Sequence, residues 1–377
     1  MSTQVYTTTF SINSSNNIVS YNTPKCQHIE RSPVNDGRPI SLVTGGAGFI
    51  GLHLCRELLK LGHTVYCLDI KNLFTVKIQF INEEHFHYLE CDVLKMFDEK
   101  YIQMRSCGHC QTMVNIFQAH NIDHIDYIYH LACHASPRFY QQDKINTMNV
   151  CVSGTTNVIK LAQTMKARLL ITSTSEVYGE PTNHPQSETD PLCVRIGLRA
   201  CYDIGKIAAE VLLNDAVIEG GKRIARIFNT YGPGLDDGRV MGNFIKQALA
   251  GHQLTIYGDG SQTRSFCYVE DTVWGLIRLM NSDYEMTVNI GNPVEITIRQ
   301  LAQLITEKID PKVGIINLDL PTDDPTRRCP NIQLAEEKLH WSPKISLNEG
   351  IDKTIEWFQK QKNETVNVNR YLGNHGC

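Results

Sequence analysis

Short apolar runs alternate with longer amphipathic stretches through the first two thirds of the chain. Ile40-Ser-Leu-Val-Thr44, Thr64-Val-Tyr-Cys-Leu68, Phe86-His-Tyr-Leu-Glu90, Tyr127-Ile-Tyr-His-Leu131, Arg168-Leu-Leu-Ile-Thr172 and Arg223-Ile-Ala-Arg-Ile227 have the length and apolar content of strands. The intervals are long enough for crossover helices, the first over Leu52–Leu61. That rhythm predicts an α/β fold, a Rossmann-like doubly wound parallel sheet. After Phe228, Gly, Pro and Asp punctuate shorter elements, which predicts a smaller C-terminal substrate-binding domain facing the sheet's carboxyl edge. The domains expected are 39–227, carrying an insertion at 94–124, and 228–362, some of whose elements return to the first. Residues 1–38 are rich in Ser, Thr and Asn without periodicity and read as a disordered polar tail; 363–377 read as a second one.

The chain has 377 residues, which suits about two domains at ~150 residues each. Hydrophobic residues at 42 % and charged residues at 20 % are ordinary for a globular protein. A formal charge of −4 argues against nucleic acid or an anionic membrane as partner, so any anionic ligand must meet a local basic cluster. No run approaches the ~18 apolar residues of a membrane span, and nothing before Lys25 resembles a secretory signal core. Thirteen cysteines, an odd number, are scattered from Cys26 to Cys377. Cys55 and Cys67 fall inside apolar patterns, as free thiols do, which points to a reducing, cytoplasmic setting.

Gly45-Gly-Ala-Gly48-Phe49-Ile50-Gly51 follows the first strand and opens a helix. Glycines let such a turn bring its backbone against a pyrophosphate, with the helix N-terminus facing the phosphates. Tight strand-to-helix turns also use glycine, so the neighbours decide. Asp69 closes the second strand, 18 residues after Gly51, where a carboxylate can accept from both hydroxyls of an adenosine ribose and repel a 2′-phosphate. The cofactor expected is NAD, with Asp92 and Val93 beside the adenine.

Tyr-x-x-x-Lys places a phenol and an ammonium on one helix face, where the cation is expected to lower the phenol's pKa. Two copies occur, Tyr140 with Lys144 and Tyr202 with Lys206. Thr172-Ser-Thr-Ser-Glu176 ends the fifth strand, and Tyr202 lies 28 residues after Thr174. Tyr140 precedes that strand, so it reads as an incidental copy.

Ser173-Thr-Ser-Glu-Val-Tyr-Gly179, Arg199-Ala-Cys-Tyr-Asp-Ile-Gly-Lys206 and Arg226-Ile-Phe-Asn-Thr-Tyr-Gly-Pro233 resemble the extended short-chain dehydrogenase/reductase family, as do Gly258-Asp-Gly-Ser-Gln-Thr-Arg264 and Asn289-Ile-Gly-Asn-Pro293. The similarity runs from about residue 39 to about residue 360 and is greatest to the UDP-glucuronate decarboxylase branch, which makes UDP-xylose. The 4,6-dehydratases carry Asp–Glu after the catalytic Thr; here Ser175 replaces that Asp before Glu176. A C6 carboxylate has no hydroxyl to expel, and a second carboxylate beside it would repel it. The resemblance implies oxidation at sugar C4, loss of CO2 from the resulting β-keto acid and return of the hydride, with NAD regenerated each turnover. It implies Thr174, Ser175, Glu176, Tyr202, Lys206 and Arg328 as catalytic, Glu176 reprotonating C5 through water with Arg328. Leu131, Ala132 and Thr230 join Tyr202 and Lys206 in the cofactor set; Asn229, Arg239, Asn243, Tyr257, Arg264 and Arg328 hold the UDP-sugar, and no metal is implied. Members are usually dimers, which implies a homodimer. The alternatives are a 4,6-dehydratase or 4-epimerase on the same scaffold, opposed by Ser175 and the Arg328 loop. A non-catalytic sugar-nucleotide or RNA-binding relative typically loses Tyr or Lys, both kept here.

The chain departs from the family at three places. Asn146 stands where a Lys is usual, with Lys144 two residues earlier; Cys151 stands where an Asn is usual; and residues 94–124 are longer than the family norm. The insertion carries Cys107-Gly-His-Cys110 with His109, His120 and His124, too few ligands in fixed spacing for a closed zinc site. Metal analysis of the purified protein should therefore find no stoichiometric zinc, and Cys107→Ser/Cys110→Ser should keep near wild-type activity. Unfolding on chelation would overturn this reading.

Overall fold

Successive strand residues point to opposite faces of a sheet, and here both faces are apolar. Val43, Val65, Cys67, Tyr129, Leu170 and Ala225 enter one core cluster, while their neighbours Leu42, Tyr66, Leu68, Ile128, Leu169 and Ile224 enter the other. Strands buried on both sides read as continuous apolar runs and suit a parallel sheet with helices on each face. The computed structural model describes residues 37–72, 78, 80–98, 122, 124–235, 238–319 and 326–373. Residues 1–36, most of the insertion with Cys107, His109, Cys110 and His120, and 320–325 of the arginine loop lie outside the described residues.

The strands are β1 Ile40–Thr44, β2 Thr64–Asp69, β3 Phe86–Glu90, β4 Tyr127–His130, β5 Arg168–Thr174 and β6 Lys222–Ile227. All pair in parallel, and Thr287–Ile290 adds a seventh strand beside β6. The order, from that strand through β6, β5, β4, β1 and β2 to β3, reverses between β1 and β4. At such a switch point the loops leave in opposite directions and open a crevice. The strands lie where the periodicity placed them, with β5 extended by two residues to Thr174.

Between strands run α1 Phe49–Lys60, α2 Pro137–Tyr140, α3 Lys144–Asn149, α4 Thr155–Thr164 and α5 Ala200–Asp215, with one π-helical turn, Val150–Gly154, joining α3 to α4. Helix α1 starts three residues before the expected Leu52, because Gly48 is its extended N-cap and Phe49 and Ile50 are already helical. Its Leu54 and Leu58 pack on the first face, and Val158 and Leu161 of α4 with Ala209 and Leu213 of α5 pack on the second. Beyond β6 two small sheets overhang the crevice. Thr263–Ser265 lies between Glu295–Thr297 and Arg327–Arg328, and Leu254–Tyr257 pairs with Ile315–Leu318. They carry Tyr257, Arg264 and Arg328. The final helix, Leu347–Gly373, runs past the expected boundary at 362.

A buried polar network joins these parts. Arg226 on β6 binds Glu210 of α5 through Nε–Oε1 at 3.0 Å and Nη2–Oε2 at 2.8 Å. Its Nη1 also donates to the Tyr178 hydroxyl at 3.0 Å and the Glu188 carbonyl at 3.1 Å. Tyr178 in turn donates to Asn289 Oδ1 at 2.7 Å, on the seventh strand. Removing one member of a buried pair leaves the other charge uncompensated, at a cost of about 3–5 kcal/mol. Glu210→Ala should lower the unfolding free energy by an amount in that range, read by equilibrium urea denaturation; a loss under ~1 kcal/mol, the scale of an exposed pair, would mean the network is not holding α5.

Candidate active site

The glycine loop closes tightly over β1. Gly45 has φ +70°, and a Cβ there would lie 2.7 Å from the Ala132 nitrogen; a Cβ on Gly51 would lie 2.3 Å from the Gly45 carbonyl oxygen. Only glycine lets the β1 turn, the loop after β4 and the first turn of α1 approach this closely. Asp69, at the end of β2, accepts from the Ala47 N–H at 3.0 Å and from its own turn at Lys71 N–H, 3.1 Å. It therefore braces the loop while lining the cavity. Asp92 accepts from Leu94 N–H at 2.9 Å and fixes the turn after β3, with Val93 beside it.

One cavity of about 900 Å³ runs from this loop to the small sheets. Gly45, Gly48, Phe49, Ile50, Gly51, Asp69, Asp92, Val93, Leu131, Ala132 and Thr230 line it, as do Thr174, Ser175, Glu176, Tyr202 and Lys206. So do Asn229, Arg239, Asn243, Tyr257 and Arg264. Arg328 is the exception: it is 1 % exposed, does not line the cavity and meets the lining residue Glu176 at 3.4 Å. Ser136 Oγ, Tyr140 Oη and Ser173 Oγ are buried on residues lining the cavity and have no hydrogen-bond partner among the described residues. A glycine cradle at one end and polar atoms awaiting partners along the wall fit a dinucleotide.

Tyr202 and Lys206 lie on α5 against the end of β5. The phenol hydrogen-bonds to Thr174, whose hydroxyl oxygen also accepts from the Glu176 N–H at 3.2 Å. On balance the phenol is not lowered, as the sequence led us to expect, but raised. Burial raises Tyr202 well above the ordinary phenol value and the thiols Cys133 and Cys151 add to it, against Arg239 and the Thr174 hydrogen bond. Lys206 Nζ donates to the Thr172 carbonyl at 2.7 Å and stands 6.0 Å from the Tyr202 ring centre.

Glu176 accepts from Arg199 Nη2 at 2.6 Å and from Arg328 Nη2 at 3.4 Å. Burial pushes its carboxyl up, but Arg199, Arg328 and Arg264 outweigh that and hold it at about 2. Three guanidiniums thus surround one carboxylate and leave the pocket locally positive despite the chain's net negative charge. Arg199 had a signal the sequence reading passed over. A cation at a helix N-terminus opposes the macrodipole, so it needs a nearby anion.

Tyr140 was also missed. It stacks on Tyr202 with ring centres 5.0 Å apart and an interplanar angle of 3°, so the supposed incidental copy supplies a cavity wall. Its Lys144 is exposed, whereas Asn146 lines the cavity.

The sequence profile of the NAD dependent epimerase/dehydratase family matches residues 41–291. The chain is 42 % identical over 342 residues to UDP-glucuronic acid decarboxylase 1 of Arabidopsis thaliana, covering 88 % of this chain and 73 % of that one. It is 41 % identical over 371 residues to UDP-glucuronic acid decarboxylase 1 of Xenopus tropicalis, covering 92 % and 81 %. Among solved structures, UDP-glucose 4-epimerase of Thermotoga maritima with UDP-glucose superposes with a TM-score of 0.74 at 28 % identity, covering 85 % of this chain and 99 % of that one. UDP-glucuronic acid 4-epimerase of Bacillus cereus, in complex with UDP-glucuronic acid and NAD, superposes with a TM-score of 0.72 at 25 % identity and the same coverage. With this glycine cradle, strand-end Asp69 and Tyr202–Lys206 helix, the chain belongs to the NAD dependent epimerase/dehydratase family.

Proposed function

We propose that the chain is an NAD-dependent UDP-glucuronate decarboxylase that releases CO2 and UDP-xylose. The observation that carries this reading is the wall position between Thr174 and Glu176, where a buried serine replaces the acid a dehydratase needs. Relatives named UDP-glucuronic acid decarboxylase at 41–44 % identity support it.

Asp69 would hold the adenosine ribose, the glycine loop the pyrophosphate, and Leu131, Ala132 and Lys206 the nicotinamide end. When bound, NAD supplies the acceptor for the C4 hydride and gives it back at the end of the turnover. Tyr202 Oη takes the sugar 4-hydroxyl proton, with Thr174 holding its hydrogen-bond direction and Lys206 the nearby positive charge. Asn229, Asn243, Tyr257, Arg239 and Arg264 would receive the UDP portion. Ser175 offers the C6 carboxylate a neutral hydroxyl, and Arg199 stands beside it as a cation. Once the 4-ketone is formed, the C5–C6 bond breaks towards it and CO2 leaves.

Glu176 then serves C5. While the substrate carboxylate shares the guanidiniums, Glu176 holds a proton more easily and takes one up from solvent water. After CO2 has gone, the guanidiniums again favour its ionised form and drive the proton out, through water, to C5. Arg328, buried behind it, positions this carboxylate rather than touching sugar. The reading includes a homodimer and, for a chain with thirteen cysteines, a reducing cytoplasmic compartment. Among the described residues no helix is long and apolar enough to cross a membrane.

Two outcomes follow. Asp69→Ala should weaken NAD binding by about 1–3 kcal/mol by calorimetry, the scale of charged hydrogen bonds. NADP binding to the wild type as tightly as NAD would overturn Asp69's role. Incubation with UDP-glucuronate should yield UDP-xylose and CO2 without net consumption of NAD, and Tyr202→Phe should abolish CO2 release. Glu176→Gln should lower turnover ~10²–10⁴-fold, the range for a lost proton-transfer group, and release UDP-4-keto-pentose. A 6-deoxy-4-keto sugar formed from UDP-glucose would instead mark a dehydratase.

A further inference from the structure

Cys133 lies on the loop after β4 and lines the cavity, and Cys151 lies in the π-helical turn beneath α5. Their sulfurs are 3.3 Å apart. A disulfide needs about 2.05 Å, so the two must close by roughly 1.3 Å, within reach of small side-chain rotations. Cys151 is wedged in place. A Cβ on Gly205 of α5 would sit 2.9 Å from its Cβ and 3.1 Å from its Sγ, so Cys151 packs into the space that glycine leaves on that helix. We propose that Cys133 and Cys151 are a reversible dithiol–disulfide pair in the wall of the active site, oxidised by peroxide.

The local chemistry favours Cys133 as the attacking thiol. It is half-buried and reachable from the cavity, whereas Cys151 is 2 % exposed. The hydrogen bond shared with Cys151 and, next, the Lys206 ammonium outweigh burial and Cys201, and hold Cys133 at about 7. Low-pKa, accessible thiols are the ones that oxidise. A second pair provides the contrast. Cys55 and Cys67 are also hydrogen-bonded to each other, but both are fully buried and Cys67 is pushed far up. That pair is expected to stay inert.

The steps balance. The Cys133 thiolate attacks one peroxide oxygen, the O–O bond breaks and hydroxide leaves, giving a sulfenic acid. Cys151 sulfur then attacks Cys133 sulfur; the S–S bond forms, the S–O bond breaks, and the departing hydroxide takes the Cys151 proton as water. Two thiols supply two electrons, and one peroxide becomes two waters. A dithiol reductant reverses the reaction.

The bond also changes the catalytic face. Tyr202 faces Cys133 from the β4 loop, Cys151 from the π turn, Thr174 from β5, Arg239 from the loop before Val240, Tyr140 from α2, and Lys206 on its own helix. The two thiols are the groups among these that raise the phenol, so a disulfide removes that opposition. This consequence rests on the decarboxylase reading above; the thiol chemistry does not.

The test treats the full-length protein with hydrogen peroxide near neutral pH, alkylates remaining thiols and maps non-reduced peptides by mass spectrometry. The expected result is one linked pair containing Cys133 and Cys151, lost on dithiothreitol, with Cys55 and Cys67 unlinked. In Cys151→Ser, Cys133 should persist as a sulfenic acid trapped by dimedone. Cys133 and Cys151 recovered in separate alkylated peptides, or no dimedone adduct at Cys133 in the variant, would overturn the pair. For its effect on Tyr202, the rise of kcat/KM with pH should move to lower pH in the oxidised protein. A linked pair with an unmoved profile would overturn that effect and leave the decarboxylase reading standing.

Discussion

The bidentate pair between Arg226 and Glu210 holds the helix of Tyr202 and Lys206 against the sheet. Two charges taken out of water are tolerable only when both are fully engaged. Arg226 meets that condition by spending its remaining donors on the Tyr178 hydroxyl and the Glu188 carbonyl. Tyr178 follows Glu176 by two residues, and Asn289 accepts its hydroxyl hydrogen bond from the far side. The chemistry at Thr174, Ser175 and Glu176 is therefore fixed by a network that no substrate touches.

The second organising feature is a division of charge. At the glycine end the anion-binding groups are backbone N–H donors, which need no side-chain charge. At the other end, Arg199, Arg264 and Arg328 crowd round Glu176 with Arg239 nearby. A single carboxylate keeps the guanidiniums from repelling one another apart, and each of them holds it ionised. An incoming anionic sugar nucleotide enters this balance rather than an empty positive hole.

Much of this was legible in the residues. The strands follow apolar runs with no competing signal, and Gly45, Gly48, Gly51 and Asp69 announce a turn that only a narrow backbone can make. What escaped was set by tertiary approach. Tyr140 matches the Tyr-x-x-x-Lys spacing as well as Tyr202 does, and only folding shows that its ring lies on Tyr202 rather than serving Lys144. Lys206 was read from helix spacing as a partner of the phenol, but spacing is blind to the Thr172 carbonyl that captures the ammonium. The closeness of Cys133 to Cys151 links a loop to a helical turn 18 residues on, and no local pattern encodes it.

The seventh strand has a bearing on how the chain comes to be folded. Thr287–Ile290 covers the outer edge of β6 and brings Asn289 to Tyr178. During synthesis from the N-terminus, everything up to Ile227 emerges first, and β6 waits as an open sheet edge until about sixty more residues have followed. Unpaired edges recruit strands from other chains. A nascent or truncated chain ending short of Ile290 thus carries both an exposed ladder and an incompletely satisfied Arg226 network. That edge stays open late in synthesis, after the segments of the cofactor cradle have been made.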